Sequence, residues 1–184
     1  MSKPAKVKIV IYGLERRHPG LTLHLGGSYT EAASVCLDRH HISPVTMSVS
    51  CDTKQSDRVV DFEKPDSRVL KSWNNDIDTT EFGAYGMALA TVEAEEKLVA
   101  VSRAHTQTGT DWYVAPKGKQ LEDLEDCFRL EISGVDAGTK SDIETRLRRK
   151  IEQAQRGKSN LPAIASVVGF KEQTILIKKI GVKK

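Results

Sequence analysis

The chain has 184 residues, of which 39% are hydrophobic and 29% are charged. This length suits one globular domain with a hydrophobic core, and the composition excludes the disordered, collagen-like and coiled-coil classes. The 28 Lys and Arg residues against 25 Asp and Glu give a net charge of only +3. That balance excludes a histone-like polycation but leaves room for a local basic surface that binds nucleic acid.

Three features of the sequence predict a cytoplasmic protein without a membrane partner. No apolar run reaches the roughly 20 residues of a membrane-spanning helix. The N-terminus carries basic residues, but its apolar stretch is too short for a signal peptide. The cysteines Cys36, Cys51 and Cys127 are odd in number and far apart, which argues against a disulfide framework and against a zinc knuckle.

The first half of the chain predicts short, mixed elements. Residues 6–12 alternate and are β-branched like a strand, and the glycines and proline of 13–27 predict a turn and a short strand. Apolar spacing predicts a helix over 31–41, and 45–51 predicts a second strand. The polar, turn-rich residues 52–78 indicate a connector with short elements.

The clearest helix signal begins near residue 78. Asp78 or Thr79 stands where an N-cap is expected, Glu81 falls in the first turn, and the apolar residues that follow recur at helical spacing. Three runs of apolar or alternating residues then predict three strands, at 98–104, 111–115 and 127–135.

The last part of the chain predicts a charged helix and further strand. Ser141 and Glu144 form a capping-box pattern before this helix, and Gly157 ends it. The segments AIASVVGF and QTILIKKI predict a last strand or pair of strands. The whole pattern predicts a single α/β domain over 1–184, in which helices cover a mixed sheet.

Two acidic residues interrupt these strands where apolar residues are expected. Glu131 lies inside an otherwise apolar strand, and Asp111 opens a strand of aromatic and aliphatic residues. A carboxylate in such surroundings must be paired, hydrogen-bonded or bound to a cation. Because adjacent strands lie about 5 Å apart, the two carboxylates converge if their strands form a hairpin. Mg²⁺, or Mn²⁺ in its place, is the natural partner for such a pair of oxygen ligands on a phosphodiester.

These residues resemble the core of the PD-(D/E)XK restriction-endonuclease-like superfamily. The resemblance rests on Glu81 in a leading helix, TGTDWYV with Asp111, RLEISGV with Glu131, and the order helix, three strands, helix, strand. It implies a metal-dependent nuclease with Asp111 and Glu131 as metal ligands and Glu81 as the assisting helix acid. It also implies a nuclease-like core at 78–184, with 1–77 as an N-terminal extension packed on that core. A further likeness to bacterial proteins of mobile and phage-defence loci implies a role in defence.

One position departs from the superfamily pattern. Where a lysine usually follows the second acid by two residues, this chain has Ser133. Three interpretations are open: Lys150 on the following helix replaces that lysine, Ser133 and water suffice, or the nuclease is inactive. An inactive chain would be a structural or nucleic-acid-binding subunit of a defence or toxin complex. The resemblance also suggests a contact between Gln155 and the site.

Each acid also has a purely structural interpretation. Glu131 fits an ion pair with Arg103 or Arg129, and such buried pairs are common. Asp111 fits a cap on the turn after Gly109, as Asp often does before a strand. An acid such as Glu81 is favoured in a first helical turn by the helix dipole alone.

A basic stretch follows the three acids along the chain. On a helix, Arg146, Arg149 and Lys150 share one side, so they predict a ridge that binds phosphates without regard to sequence. A solvated helix face is the alternative. With the resemblance, this ridge indicates nucleic acid as partner, DNA before RNA, and leaves room for protein partners in a defence complex and for a homo-oligomer.

Overall fold

The computed structural model describes residues 7–105, 110–118, 126–157 and 159–181. Within them it has four α-helices: α1 Leu23–Asp38, α2 Ser67–Ser72, α3 Asp76–Glu96 and α4 Lys140–Arg156. It also has eight strands: β1 Lys8–Ile9, β2 Val45–Cys51, β3 Lys54–Val60, β4 Leu98–Arg103, β5 Trp112–Pro116, β6 Phe128–Val135, β7 Ala163–Gly169 and β8 Thr174–Ile180.

The strands form one mixed sheet, in the order β1-β3-β2-β8-β7-β6-β5-β4. Strands β4, β5 and β6 are antiparallel neighbours, whereas β6 and β7 are parallel and are connected through α4. The expected α/β class with a mixed sheet is therefore confirmed. The order α3, β4, β5, β6, α4, β7 is the expected succession of helix, three strands, helix and strand.

Helices α3 and α4 cover opposite faces of the sheet around β6. Leu130 and Ile132 belong to the core cluster that includes the apolar residues of α3. Arg129 and Glu131 instead contact residues of α4. Because successive side chains of a strand point to opposite faces, β6 supplies an apolar face to one helix and a charged face to the other.

Close packing of α1 on α3 fixes the position of α3 in the core. A Cβ added at Gly86 would lie 2.9 Å from the carbonyl oxygen of Tyr29, and one at Gly83 would lie 3.1 Å from that of Ala32. Ordinary side chains at these two positions would hold the helices apart. The glycines therefore let α3 approach α1 closely while its other side packs against the sheet.

The N-terminal part of the chain joins the same sheet and core. Strand β2 pairs with β8 in parallel, with Val49 opposite Ile175, and β3 extends the sheet from β2. The expected division after residue 77 falls inside α3, which begins at Asp76. Residues 7–75 thus supply three strands to the shared sheet and a helix to the shared core.

Two expectations for the first segment are wrong. The strand expected over 6–12 is only Lys8–Ile9, and a 3₁₀ helix follows at Leu14–Arg16. The helix expected over 31–41 begins eight residues earlier, at Leu23, where the side chain of Thr22 accepts a hydrogen bond from the Leu25 N–H. Gly26, inside this helix, packs closely on Glu15, because an added Cβ would lie 3.2 Å from the Glu15 main-chain nitrogen.

Three further boundaries differ from the sequence prediction. The connector expected over 52–78 contains strand β3, which pairs with β2 along its whole length. Helix α3 is capped by Asn75 rather than by Asp78 or Thr79. The capping box of α4 joins Thr139 to Asp142, two residues before the expected pair. In the part of the chain that the structure describes, no helix is both long and apolar enough to span a membrane.

Candidate active site

A cleft of about 670 Å³ lies between the first half of α3, the ends of β5 and β6, and α4. All the residues expected at the site, except the buried Glu131 and the exposed Gln155, line this cleft. The lining includes Glu81, Asp111, Ser133, Arg146, Arg149 and Lys150.

Main-chain bonds to both neighbouring strands hold Asp111. Its N–H donates to the Leu130 carbonyl at 3.1 Å, and its own carbonyl accepts from the Ala104 N–H at 3.2 Å. Its side-chain Oδ2 accepts from the Ile132 N–H at 2.7 Å. The carboxylate is thereby directed to the middle of β6, next to Glu131. The alternative that Asp111 caps a turn after Gly109 concerns a residue outside the described part of the chain.

Glu131 lies beneath α4 and is almost completely buried, with 1% of its surface exposed. Neither carboxylate oxygen has a hydrogen-bond partner among the described residues. Burial raises the pKa of Glu131 to about 7; the charge of Lys150 opposes this rise and that of Asp111 adds to it. A buried carboxylate without hydrogen bonds is costly to keep ionised, so a functional reason for it is expected.

Lys150 is the cation that lies between the two strand acids. Its Nζ is 3.6 Å from Glu131 Oε2 and 3.9 Å from Asp111 Oδ2. These two acid oxygens are therefore at most 7.5 Å apart, because that is the sum of the two distances. Of the three interpretations of Ser133, this geometry agrees with the one in which Lys150 supplies the ammonium group from the following helix.

The two arginines considered as partners of Glu131 bond elsewhere. Arg129 donates to the main-chain oxygens of Ala154 at 3.1 Å and Leu161 at 3.3 Å. Arg103 donates to tyrosine hydroxyls, and its guanidinium lies over the ring of Tyr85. The ion-pair partner of Glu131 in the structure is thus Lys150.

Glu81 joins Asp111 through a residue that the sequence analysis did not single out. The Tyr85 hydroxyl lies 2.7 Å from Glu81 Oε1 and 3.0 Å from Asp111 Oδ1. Burial and the charge of Asp111 raise the pKa of Tyr85, so its hydroxyl keeps its proton. The spacing of four residues between Glu81 and Tyr85 places both on one helix face, and this signal was available in the sequence.

The corrected start of α3 changes the interpretation of Glu81. The first-turn acids are Asp76 and Asp78, and Glu81 lies beyond them. The helix dipole acts on charges within the first turn, so it no longer explains an acid at Glu81. The contact with Tyr85 at the cleft gives that acid a specific partner instead.

Helix α4 presents one basic and polar face to the cleft. Arg146, Arg149, Lys150 and Gln153 line it, and their spacing of three and four residues places them on the same side. Gln155 is exposed and does not line the cleft, so the structure does not bring it to the other candidates. Gln153, which the sequence analysis did not consider, occupies the cleft face in its place.

The far end of the cleft holds a second group that sequence reasoning missed. Asp136 follows β6 and accepts hydrogen bonds from Arg39 and His40, each at 2.8 Å. Arg39 also donates to Asp76 at 2.7 Å, at the start of α3. Three segments distant in sequence thus meet here, and their contacts fix the end of α1 against the cleft wall.

The acids of the cleft fit a divalent cation of the magnesium type. No group of three His, Cys, Asp or Glu side chains that could hold a metal occurs among the described residues. Mg²⁺, however, commonly uses only one or two carboxylates and keeps several waters. Asp111 and Glu131 supply two carboxylates, and the oxygens of Glu131 accept no hydrogen bond from the described residues, which leaves ligand positions free. The ammonium group of Lys150 lies against the same two acids.

Comparison with known proteins gives no further guidance. Family models, curated proteins and solved structures were all searched, and none matches this chain significantly.

Proposed function

We propose that the chain is a metal-dependent nuclease whose core, from α3 to β7, is of the restriction-endonuclease-like type. The observation that carries the proposal is Glu131, a buried carboxylate without hydrogen bonds, placed beside Asp111 and Lys150. A protein core gains nothing from such a group, since an apolar residue of similar volume is usually at least as stable. A cation held between Glu131 and Asp111, which lines the cleft, would give the oxygens of Glu131 a partner.

The residues divide the work of phosphodiester hydrolysis among them. Asp111 and Glu131 would hold Mg²⁺ or Mn²⁺. When bound, such an ion neutralises phosphate charge and makes a water more acidic. The ammonium of Lys150 is positioned to orient a water or a phosphate oxygen near both acids. Ser133 lines the cleft but its hydroxyl cannot act as a base unaided at neutral pH.

The basic face of α4 is the proposed nucleic-acid contact. Arg146 and Arg149 are exposed, line the cleft and lie on the same helix face as Lys150. Guanidinium groups in such a row neutralise successive phosphates and release counterions, so affinity falls steeply with salt. We propose DNA before RNA as substrate, and a role in bacterial defence in the cytoplasm, with partner proteins or further copies of the chain in the active assembly.

A second candidate function is a binding subunit without catalysis. Ser133 in place of the usual lysine favours it, and so does the ammonium of Lys150, which already neutralises the acids that would hold a metal. In this alternative the α4 face binds nucleic acid and the cleft cuts nothing. The two functions differ in whether the acids bind a divalent cation.

A cleavage assay separates the two candidates. Supercoiled and linear duplex DNA, single-stranded DNA and RNA are incubated with the protein in Mg²⁺, in Mn²⁺ and in EDTA. We expect cleavage of at least one substrate with a metal and none in EDTA. Asp111→Asn and Glu131→Gln should each lower the rate at least 100-fold, whereas the exposed Glu152→Gln should leave it unchanged. Full activity in both Asp111→Asn and Glu131→Gln would refute the nuclease, and metal-independent binding without cleavage would favour the second candidate.

A second pair of variants tests the role of Lys150. Lys150→Met removes the ammonium from the cleft but keeps the length of the side chain. Arg148→Met removes one positive charge from the same helix at a side chain that bonds to Thr145 rather than lining the cleft. We expect at least a tenfold fall in cleavage for the first variant and little change for the second. Equal effects would show that α4 contributes only its overall charge.

A further inference from the structure

We propose that Tyr85, held by Arg103, is a positioning residue that fixes the carboxylates of Glu81 and Asp111 for divalent-cation binding. The inference rests on the proposed function, because it concerns the same cleft. Tyr85 itself would not touch the reacting phosphate. Its role would be to hold two acids, Glu81 on α3 and Asp111 just before β5, in one arrangement.

The Tyr85 hydroxyl is the direct link between the two acids. It lies 2.7 Å from Glu81 Oε1 and 3.0 Å from Asp111 Oδ1. These two oxygens are therefore at most 5.7 Å apart, the sum of those distances. Without the hydroxyl, two negatively charged side chains on different elements would have no group between them to hold them at this separation.

The hydrogen bonds of Asp111 explain why the contact with Tyr85 matters for cation binding. Its Oδ2 accepts the Ile132 N–H, so Oδ1 is the oxygen less committed to the main chain. The hydroxyl of Tyr85 has one proton and donates to only one carboxylate at a time. When it donates to Glu81, which is its shorter contact, Oδ1 of Asp111 is free to bind a cation, and the Ile132 N–H still holds Oδ2 of that carboxylate.

Arg103 holds the tyrosine from its other side. The guanidinium carbon lies 4.5 Å from the ring centre of Tyr85 and 5.3 Å from that of Trp112. Its Nη2 donates to the Tyr85 oxygen at 3.2 Å, and its Nη1 donates to the Tyr29 hydroxyl at 3.4 Å. Because this donation occupies a lone pair of the Tyr85 oxygen, the hydroxyl proton is directed to the acids.

The main chain under Tyr85 cannot easily shift. Gly83 and Gly86 flank it on α3 and pack against the main chain of α1. The ring of Tyr85 also lies 5.5 Å from that of Tyr29, centre to centre. The hydroxyl is thus presented on a rigid element, which is the condition under which an outer-shell group tunes a metal site.

Cation affinity, measured apart from catalysis, is the test. Mn²⁺ is titrated calorimetrically into the whole protein, the Tyr85→Phe variant and the Arg103→Met variant. Tyr85→Phe keeps the ring and loses only the hydroxyl. We expect its Mn²⁺ dissociation constant to rise 10- to 100-fold, the usual range for an outer-shell partner, and that of Arg103→Met to rise in the same direction.

A matched control is Tyr113→Phe, the next residue but one after Asp111. Trp112 belongs to the main core, whereas Tyr113 packs on the smaller cluster at the other face of β5. We expect this variant to bind Mn²⁺ like the original chain. Thermal unfolding of all variants without metal shows whether the fold is kept, and a lost affinity at unchanged melting temperature supports a positioning role.

The possible failures are distinguishable. If the unmodified chain binds Mn²⁺ and Tyr85→Phe binds it equally well, the positioning role is wrong and the proposed nuclease stands. The role is also wrong if Tyr113→Phe weakens binding as much as Tyr85→Phe does. If the unmodified chain binds no Mn²⁺ and cleaves nothing, both the proposed function and this inference are overturned.

Discussion

Glu131→Gln should stabilise the metal-free protein at alkaline pH while abolishing its cleavage activity. The carboxylate is buried without hydrogen bonds, and burial raises its pKa to about 7 from an ordinary value of 4.5. A group whose pKa is raised on folding binds its proton more tightly in the folded state. The contribution of Glu131 to stability is therefore fully present below pH 4.5, falls as pH rises to 7, and stays low above it.

The size of the effect follows from the same two values. Each unit of pKa difference corresponds to about 1.4 kcal/mol, so the rise from 4.5 to about 7 costs roughly 3 kcal/mol of unfolding free energy above pH 7. The amide of Gln does not ionise, and its oxygen can still accept from Lys150. The variant should lack this loss, so its stability relative to the original chain should grow by roughly 3 kcal/mol between pH 4 and pH 8.

Urea unfolding in EDTA at pH 4, 6 and 8 measures this difference. The exposed Glu152→Gln variant is the control, and its stability should follow that of the original chain at each pH. Added Mg²⁺ should stabilise the original chain at pH 8 and leave Glu131→Gln unchanged, because a ligand of the folded state alone raises its stability. Parallel pH curves for the original chain and Glu131→Gln would refute the assignment of Glu131 as a buried acid that destabilises the fold when it is ionised.

Urea unfolding tests three further residues. Burial disfavours the charged form of Glu93, but hydrogen bonds from His18 and Arg17 outweigh this and lower its pKa to about 2. Glu93→Gln should therefore lower the free energy of unfolding by roughly 3 kcal/mol at pH 7 and leave it unchanged near pH 2. Gly134→Ala places a Cβ 2.7 Å from the main-chain oxygen of Thr80 and should cost about 1–3 kcal/mol, whereas Gly27→Ala meets nothing within 4 Å and should not destabilise. Thr139→Ala should cost about 1 kcal/mol, and a comparable loss in Ser141→Ala would contradict the observed cap.

Local patterns were sufficient for the regular elements with strong periodicity. Strand β2 has the predicted bounds Val45–Cys51, and β4, β5 and β6 lie within one or two residues of their predicted positions. Strand β3 was missed because KQSDRVV is largely polar. Its pairing with β2 stabilises it as a strand, and that partner does not show in the composition of the segment itself.

Helix boundaries show the limits of local signals. Several residues near each helix start can accept the first N–H bonds, and sequence alone does not rank them. Asn75 and Thr139 are the caps because the chain enters each helix there in an extended conformation, with the side-chain oxygen facing the first turn. The choice depends on how the preceding segment is packed, which is a property of the whole fold.

The sequence by itself determined the order of the core elements and the identity of the unusual acids, because alternation in strands makes Glu131 and Asp111 conspicuous. The tertiary structure alone decided their partners. Lys150 contacts Asp111 and Glu131 from α4, which covers the sheet face opposite to α3. Tyr85 joins Glu81 of α3 to Asp111, which precedes β5. Lys150 lies 19 and 39 positions from Glu131 and Asp111, and Tyr85 lies 26 positions from Asp111, so no local periodicity encodes these three contacts. Although the net charge is only +3, the chain has a cleft lined by Glu81 and Asp111 and by the basic residues Arg146, Arg149 and Lys150 of α4.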